Sequence, residues 1–152
     1  MTDMLVRLYD VPPLEPTLQR LSRRSINLRV ARPVDALPLL NWVRAEFNPW
    51  VEEVHRALEA TPALCHVATQ GNNIVAFACY DVTAPNYFGP MAVRADARQQ
   101  GVGRAILLSV LHAQKAQGYA YAIIGGVGPV EFYQKTVDAI EIPGSTPGIY
   151  GN

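Results

Sequence analysis

Two periods of apolar residues run along this chain, and the switches between them mark its elements. Ile26, Leu28 and Val30 alternate with Asn27 and Arg29, the period of a half-buried strand. Past Pro33 the period lengthens. Leu37, Leu40, Val43 and Phe47 recur at helical spacing over residues 34–47, and Asp35 suits that helix's first turn. Pro49 separates it from a second helical segment over residues 50–60, which Pro62 closes. Residues 64–69 and 74–82 are strand runs joined by Gln70-Gly71-Asn72-Asn73, a hairpin signal because Gly and Asn tolerate positive φ. A further strand covers residues 87–93. Ile106, Leu107, Val110 and Leu111 then stripe a helix that begins near Val102 and ends at Gly118. Residues 119–124 predict another strand, Pro129 opens a short helix, and residues 139–142 form a short strand. From Ile26 the order is β, α, α, β, β, β, α, β, α, β, which implies a mixed sheet flanked by helices.

Residues 1–25 read differently. Residues 4–9 predict a short strand, Pro12 and Pro13 break it, and residues 14–21 give one or two helical turns. The expected organisation is an N-terminal appendage, 1–25, on a single domain covering 26–152. A chain of 152 residues, 49% hydrophobic and 17% charged, is long enough to bury one substantial core. Lys plus Arg and Asp plus Glu both number 13, so no global field draws nucleic acid or an anionic membrane, and neither is expected as a partner. Cys65 and Cys79 lie in apolar runs as inert core thiols, and His55, His66 and His112 are dispersed without metal-ligand spacing. No metal is expected. No apolar run approaches the roughly 20 residues that span a bilayer, and the expected location is the cytoplasm.

The chemistry concentrates in Arg98, Gln99, Gln100, Gly101, Val102, Gly103 and Arg104, between the 87–93 strand and the following helix. Two glycines let the backbone approach a ligand, and a helix start offers unpaired N–H groups at the positive end of the macrodipole. That turn suits phosphate. A phosphate-binding Gly-Lys-Ser/Thr is absent, and a dinucleotide fingerprint would need glycine where Ile106 stands.

This arrangement resembles the GNAT superfamily of acetyl-CoA-dependent N-acetyltransferases, whose Arg/Gln-x-x-Gly-x-Gly/Ala signature is met by Arg98, Gly101 and Gly103. Phe132-Tyr133 matches a second family cue, and Leu28-Arg29-x-Ala31-x-x-x-Asp35 resembles a common family opening. The resemblance covers about residues 26–142. It implies an α+β fold with a mixed, mostly antiparallel sheet of six or seven strands and about four helices. It also implies an acyltransferase that uses acetyl-CoA as co-substrate. By that resemblance Gln99 to Arg104 bind the pyrophosphate, with Arg98 supporting the turn and Arg104 adding charge. Met91, Ala92 and Val93 pair with the pantetheine arm, and the Ala92 N–H is the candidate donor to the thioester oxygen. Phe132 packs under the ligand or into the core, and Tyr133 is the candidate acid for the departing thiolate.

No carboxylate stands on the 87–93 strand where many members carry a catalytic base. Asp81, Glu131, Glu46, Glu52, Glu53 and ordered water are the alternatives. Gly126 and Pro129 replace a common Asn and Ala, which makes the backbone of residues 125–129 more prominent. Trp50 is a candidate wall of the acceptor pocket. Ile149-Tyr150 either reaches the acceptor side or pairs at an edge with a second subunit, as in a homodimer. The expected function is transfer of an acetyl group to a primary amine of a small molecule or peptide, by direct attack on the thioester. The alternative is a catalytically silent acyl-CoA-binding or regulatory module on the same fold.

Overall fold

A computed structural model describes residues 1–151. It forms one seven-stranded sheet and five α-helices. The strands are β1 (Met4–Arg7), β2 (Ile26–Val30), β3 (Cys65–Gln70), β4 (Asn73–Tyr80), β5 (Tyr87–Val93), β6 (Tyr121–Ile124) and β7 (Ile140–Glu141). The helices are α1 (Glu15–Ser22), α2 (Ala36–Glu46), α3 (Val51–Glu59), α4 (Val102–Ala116) and α5 (Val130–Val137). Strand order is β2-β3-β4-β5-β6-β1-β7, and the one parallel pair is β5 with β6. Among the described residues no helix is long and apolar enough to cross a membrane.

Apolar side chains cover both faces of the sheet. On one face α1, α4 and α5 close over Met4, Val6, Ala76, Ala78 and Phe88, with Ile106, Leu107, Leu108 and Leu111 at the centre. On the other, α2 and α3 cover Val67, Phe77, Cys79 and Ala92 with Leu39, Trp42, Val43 and Val54. The Arg29 guanidinium reaches from β2 to Asp35 in a two-pronged pair, at 2.5 and 2.9 Å, and the Arg32 N–H adds a bond at 2.7 Å. These contacts hold the Asp35 carboxyl below its ordinary range, the Arg29 hydrogen bond contributing most. The Leu28 to Asp35 stretch is therefore a buckle that fixes the start of α2.

The first 25 residues are not an appendage. β1 lies inside the sheet, antiparallel to both β6 and β7, and Met4, Val6, Leu8 and Leu21 are fully buried. Its Met4 and Val6 alternate inward, so the strand completes the core that α4 and β6 would otherwise leave open. A second difference falls at residues 149–150, which form a 3-10 turn rather than an edge strand.

Two irregularities shape the middle of the sheet. Register between β4 and β5 shifts between Ala78↔Met91 and Tyr80↔Phe88, so β5 carries one extra residue at Gly89-Pro90. Such a bulge bends the strand and re-aims it. β5 and β6 pair only at Tyr87↔Ile123 and Phe88↔Ile124, then part. The gap beyond them opens toward the start of α5.

Candidate active site

A cavity of about 610 Å³ occupies that gap. Its floor is Phe88, Gly89, Pro90 and Met91 from β5, and its opposite side is Ile124 and residues 125–129 after β6. Tyr133 of α5 enters from one side, and Trp50, Glu53 and Thr83 from the α3 side. Met1, Thr146, Pro147 and Tyr150 complete the wall.

Backbone polarity in β5 follows from its register. Arg94 donates its N–H to the Val75 carbonyl at 2.8 Å, and the aligned pairs are Ala76↔Val93, Phe77↔Ala92 and Ala78↔Met91. In an antiparallel ladder hydrogen-bonded pairs alternate, so Ala92 faces Phe77 and turns its N–H and carbonyl toward β4. Met91 and Val93 turn theirs away from β4, toward the splay. This corrects the assignment of Ala92 as the donor to a thioester oxygen: its N–H belongs to the sheet. Met91, which also lines the cavity, and Val93 carry the free edge.

Side chains at this edge point to the α4 face. A Cβ on Gly103 would sit 3.7 Å from Met91 Cε, Val93 Cγ2 and Phe132 Cζ alike. Three sequence segments thus meet at one glycine. The turn before it is left-handed at Gln99 (φ 66°) and at Gly101 (φ 83°), and open space surrounds the Gly101 Cα. No side chain caps the start of α4, so the first N–H groups of Val102, Gly103 and Arg104 are left to an incoming acceptor. Arg98 donates from Nε to the Val93 carbonyl at 3.3 Å and Gln100 from Nε2 to the Asp96 carbonyl at 3.3 Å. Both brace the turn, and Arg98 does so from an exposed position. Arg104 is half-buried in the first turn of α4.

Tyr133 is only 8% exposed, and burial pushes its hydroxyl up to about 12. At neutral pH it is a phenol, able to donate. Phe132 lies edge-on to its ring with centroids 5.0 Å apart.

The carboxylates separate cleanly. Asp81 accepts from the Asn86 N–H at 2.9 Å and from the Tyr119 hydroxyl, capping the β4–β5 turn away from the cavity. Glu131 is exposed beside Lys135, Glu46 faces Arg94 at 4.0 Å, and Glu52 is an exposed residue of α3. Only Glu53 lines the cavity, where it accepts a hydrogen bond from the Thr83 hydroxyl. His66 sits outside the cavity, 2.6 Å from Ser109 between β3 and α4, and burial lowers it to about 4, so it is neutral there.

The residues that sequence reasoning missed come from the two ends of the chain. Asp3 is buried; it accepts from the Gly126 N–H at 2.8 Å, while its own N–H donates to Ser145 Oγ at 2.8 Å. Thr2 accepts the Val127 N–H at its carbonyl, and the Met1 carbonyl accepts from the Thr146 hydroxyl. Residues 1–3 therefore tie the 125–129 loop to the 142–147 segment and set both cavity walls. A lone acidic residue directly before the apolar strand β1 was the one visible hint.

The GNAT acetyltransferase domain profile matches residues 61–136, half of the chain. The chain belongs to this family. The family is one of acetyltransferase domains, and this chain has the fold of known GNAT structures. The glucosamine N-acetyltransferase region of a fungal multi-domain GH3 β-N-acetylglucosaminidase superposes with TM-score 0.75 at 15% identity, over 93% of this chain and 19% of that one. A GCN5-related N-acetyltransferase from Sphaerobacter thermophilus gives TM-score 0.70 at 19% identity, over 93% and 48%. This chain thus spans about a fifth and about half of their lengths. A GNAT acetyltransferase from Brucella melitensis, solved with acetyl-CoA, gives TM-score 0.56 at 20% identity, over 74% and 81%. No curated protein matches the chain. In this GNAT domain Met91 and Tyr133 line the cavity, while Val93, Phe132 and the glycine turn lie outside its lining and join it through the contact of Gly103 with Met91.

Proposed function

We propose that this GNAT protein moves the acetyl group of acetyl-CoA to a primary amine by direct attack on the thioester. The observation that carries the reading is the meeting of Met91, Val93 and Phe132 at Gly103, beside a cavity that holds Tyr133 and a single carboxylate. The first turn of α4 holds the pyrophosphate on its N–H groups, with Arg104 adding charge. The amide-rich pantetheine arm pairs with the outward groups of Met91 and Val93 as an added strand does. The Met91 N–H then faces the thioester oxygen as charge develops on it.

Glu53 takes a proton from the attacking nitrogen, directly or through one water. The nitrogen lone pair forms the new bond to the carbonyl carbon, the C–S bond breaks, and Tyr133 gives its proton to sulfur. A phenol near 12 is a weak acid toward a thiol of pKa ~8.5 in water, but the cavity that raises one also raises the other. No cysteine lines the cavity, and both thiols are buried beneath α2 and α3, which favours direct transfer over an acyl-enzyme. Two unpaired thiols also suit a reducing compartment, and we assign the cytoplasm as the place of action.

The test is release of free CoA in the presence of amines, with wild type and Tyr133→Phe compared. Acetyl-dependent release that collapses in the variant supports the reading. Full turnover by Tyr133→Phe removes Tyr133 from the mechanism. Tight acetyl-CoA binding with no transfer to any amine would favour the silent-module alternative.

A further inference from the structure

The cavity wall also constrains the acceptor, an inference that rests on the acyl-transfer reading above. Among its described lining residues Glu53 is the only charged side chain, fixed by the Thr83 hydroxyl. Among the described residues no Lys or Arg side chain lines the wall: Arg56 is bound to the Val82 carbonyl at 2.7 Å and Arg94 lies over the Trp42 ring. An acceptor carboxylate or phosphate would therefore meet no cationic side chain among the described lining residues, and a second ammonium would find no second lining carboxylate. Apart from Thr83, Thr146 and the glycine-rich backbone of residues 125–128, the rest of the wall is apolar or aromatic. Trp50 is stacked on Phe47 with centroids 4.8 Å apart and planes at 10°, so its ring is held rigid. Tyr150 is half-exposed overall, yet its hydroxyl end is turned inward against β6. A Cβ on Gly125 would overlap that hydroxyl.

Tyr150 is set by contacts distant in sequence. Its N–H donates to the Pro147 carbonyl, and the preceding residues are tied to Met1, Thr2 and Asp3 through Thr146 and Ser145. Burial and the carboxylates of Asp3 and Glu53 push its hydroxyl up to about 12, consistent with Tyr150 and Glu53 facing the same space.

We propose that the acceptor is a compact monoamine whose body is uncharged and apolar or aromatic, and that the Tyr150 ring is a specificity-determining wall for that body. The amine nitrogen lies at Glu53 and the body between Trp50 and Tyr150.

Phenethylamine and phenylalanine test this, because they differ only by the carboxylate. Glucosamine and spermidine supply a polyhydroxyl body and a polycation. With acetyl-CoA and free-CoA detection, kcat/KM for phenethylamine is expected to exceed each of the others at least tenfold. Tyr150→Ala should erase most of that preference, Tyr150→Phe should keep it, and both should bind acetyl-CoA as wild type does. Equal or better use of phenylalanine, glucosamine or spermidine overturns the proposal, as does an unchanged preference in Tyr150→Ala. Acetyl-CoA binding without transfer to phenethylamine overturns it as well. Failure of acetyl-CoA to raise the melting temperature would instead overturn the underlying acyl-transfer reading.

Discussion

The two ends of the candidate site are built from the sequence in opposite ways. The donor end uses one strand, the turn that follows it and the helix start, residues 87–104, and only Phe132-Tyr133 comes from afar. The acceptor end is assembled from α3, the β4–β5 turn, the 125–129 loop, residues 1–3 and residues 146–150. A contiguous site is fixed by local geometry: a bulge, two left-handed residues and an uncapped helix. A dispersed site is fixed by tertiary hydrogen bonds, and each of its walls can change without disturbing the donor.

The comparison predicts which parameter each substitution moves. Tyr133→Phe stands where the two ends meet and should show the largest effect, a loss of about 100-fold or more in kcat with the KM for acetyl-CoA nearly unchanged. A matching loss of acetyl-CoA affinity would mean that Tyr133 is part of the donor wall instead. Because burial raises its hydroxyl to about 12, the wild-type kcat should show no alkaline fall from Tyr133 between about pH 9 and 11. The raised value keeps the proton on the phenol across that window, so a fall there would deny it the acid role.

Glu53→Gln belongs to the acceptor end. Its kcat/KM for the amine should drop roughly tenfold to 100-fold, and the deficit should shrink as pH rises toward the pKa of an alkyl amine near ~10. A deficit independent of pH would leave Glu53 a structural partner of Thr83. Gly101→Ala belongs to the donor end. Holding Ala at φ 83° costs about 1–2 kcal/mol, and the open space around Gly101 means that strain, not a clash, is the cause. Acetyl-CoA should bind about tenfold more weakly, with the amine KM unchanged. The smallest effect is Arg104→Gln, about threefold in acetyl-CoA affinity at low salt, fading near ~1 M salt where the Debye length is about 3 Å.

Legibility followed the same division. The β5 bounds, the start of α4 and Phe132-Tyr133 could be read from local pattern, because period, glycine turns and a proline-led helix are short-range signals. The role of residues 1–25 could not. Met4 and Val6 are a brief alternation, and the partners of residues 2–5 on β7 and at Ile142 and Ser145 lie about 140 residues away. The direction of the Ala92 N–H was equally hidden, since it depends on the parity of the ladder with β4 and on where the Gly89-Pro90 bulge falls. The choice among five carboxylate candidates for the base needed the fold as well. Glu52 and Glu53 are adjacent on α3, and only the helix phase turns one into the cavity and the other to solvent.

Amide-resolved hydrogen exchange, with and without acetyl-CoA, tests the donor end most directly. Met91 and Val93 on β5 and residues 99–104 before and within α4 should slow markedly on addition of acetyl-CoA. Ala92, already bonded to β4, should change little. Protection confined to other strands, or slowing of Ala92 without Met91 and Val93, would contradict the account.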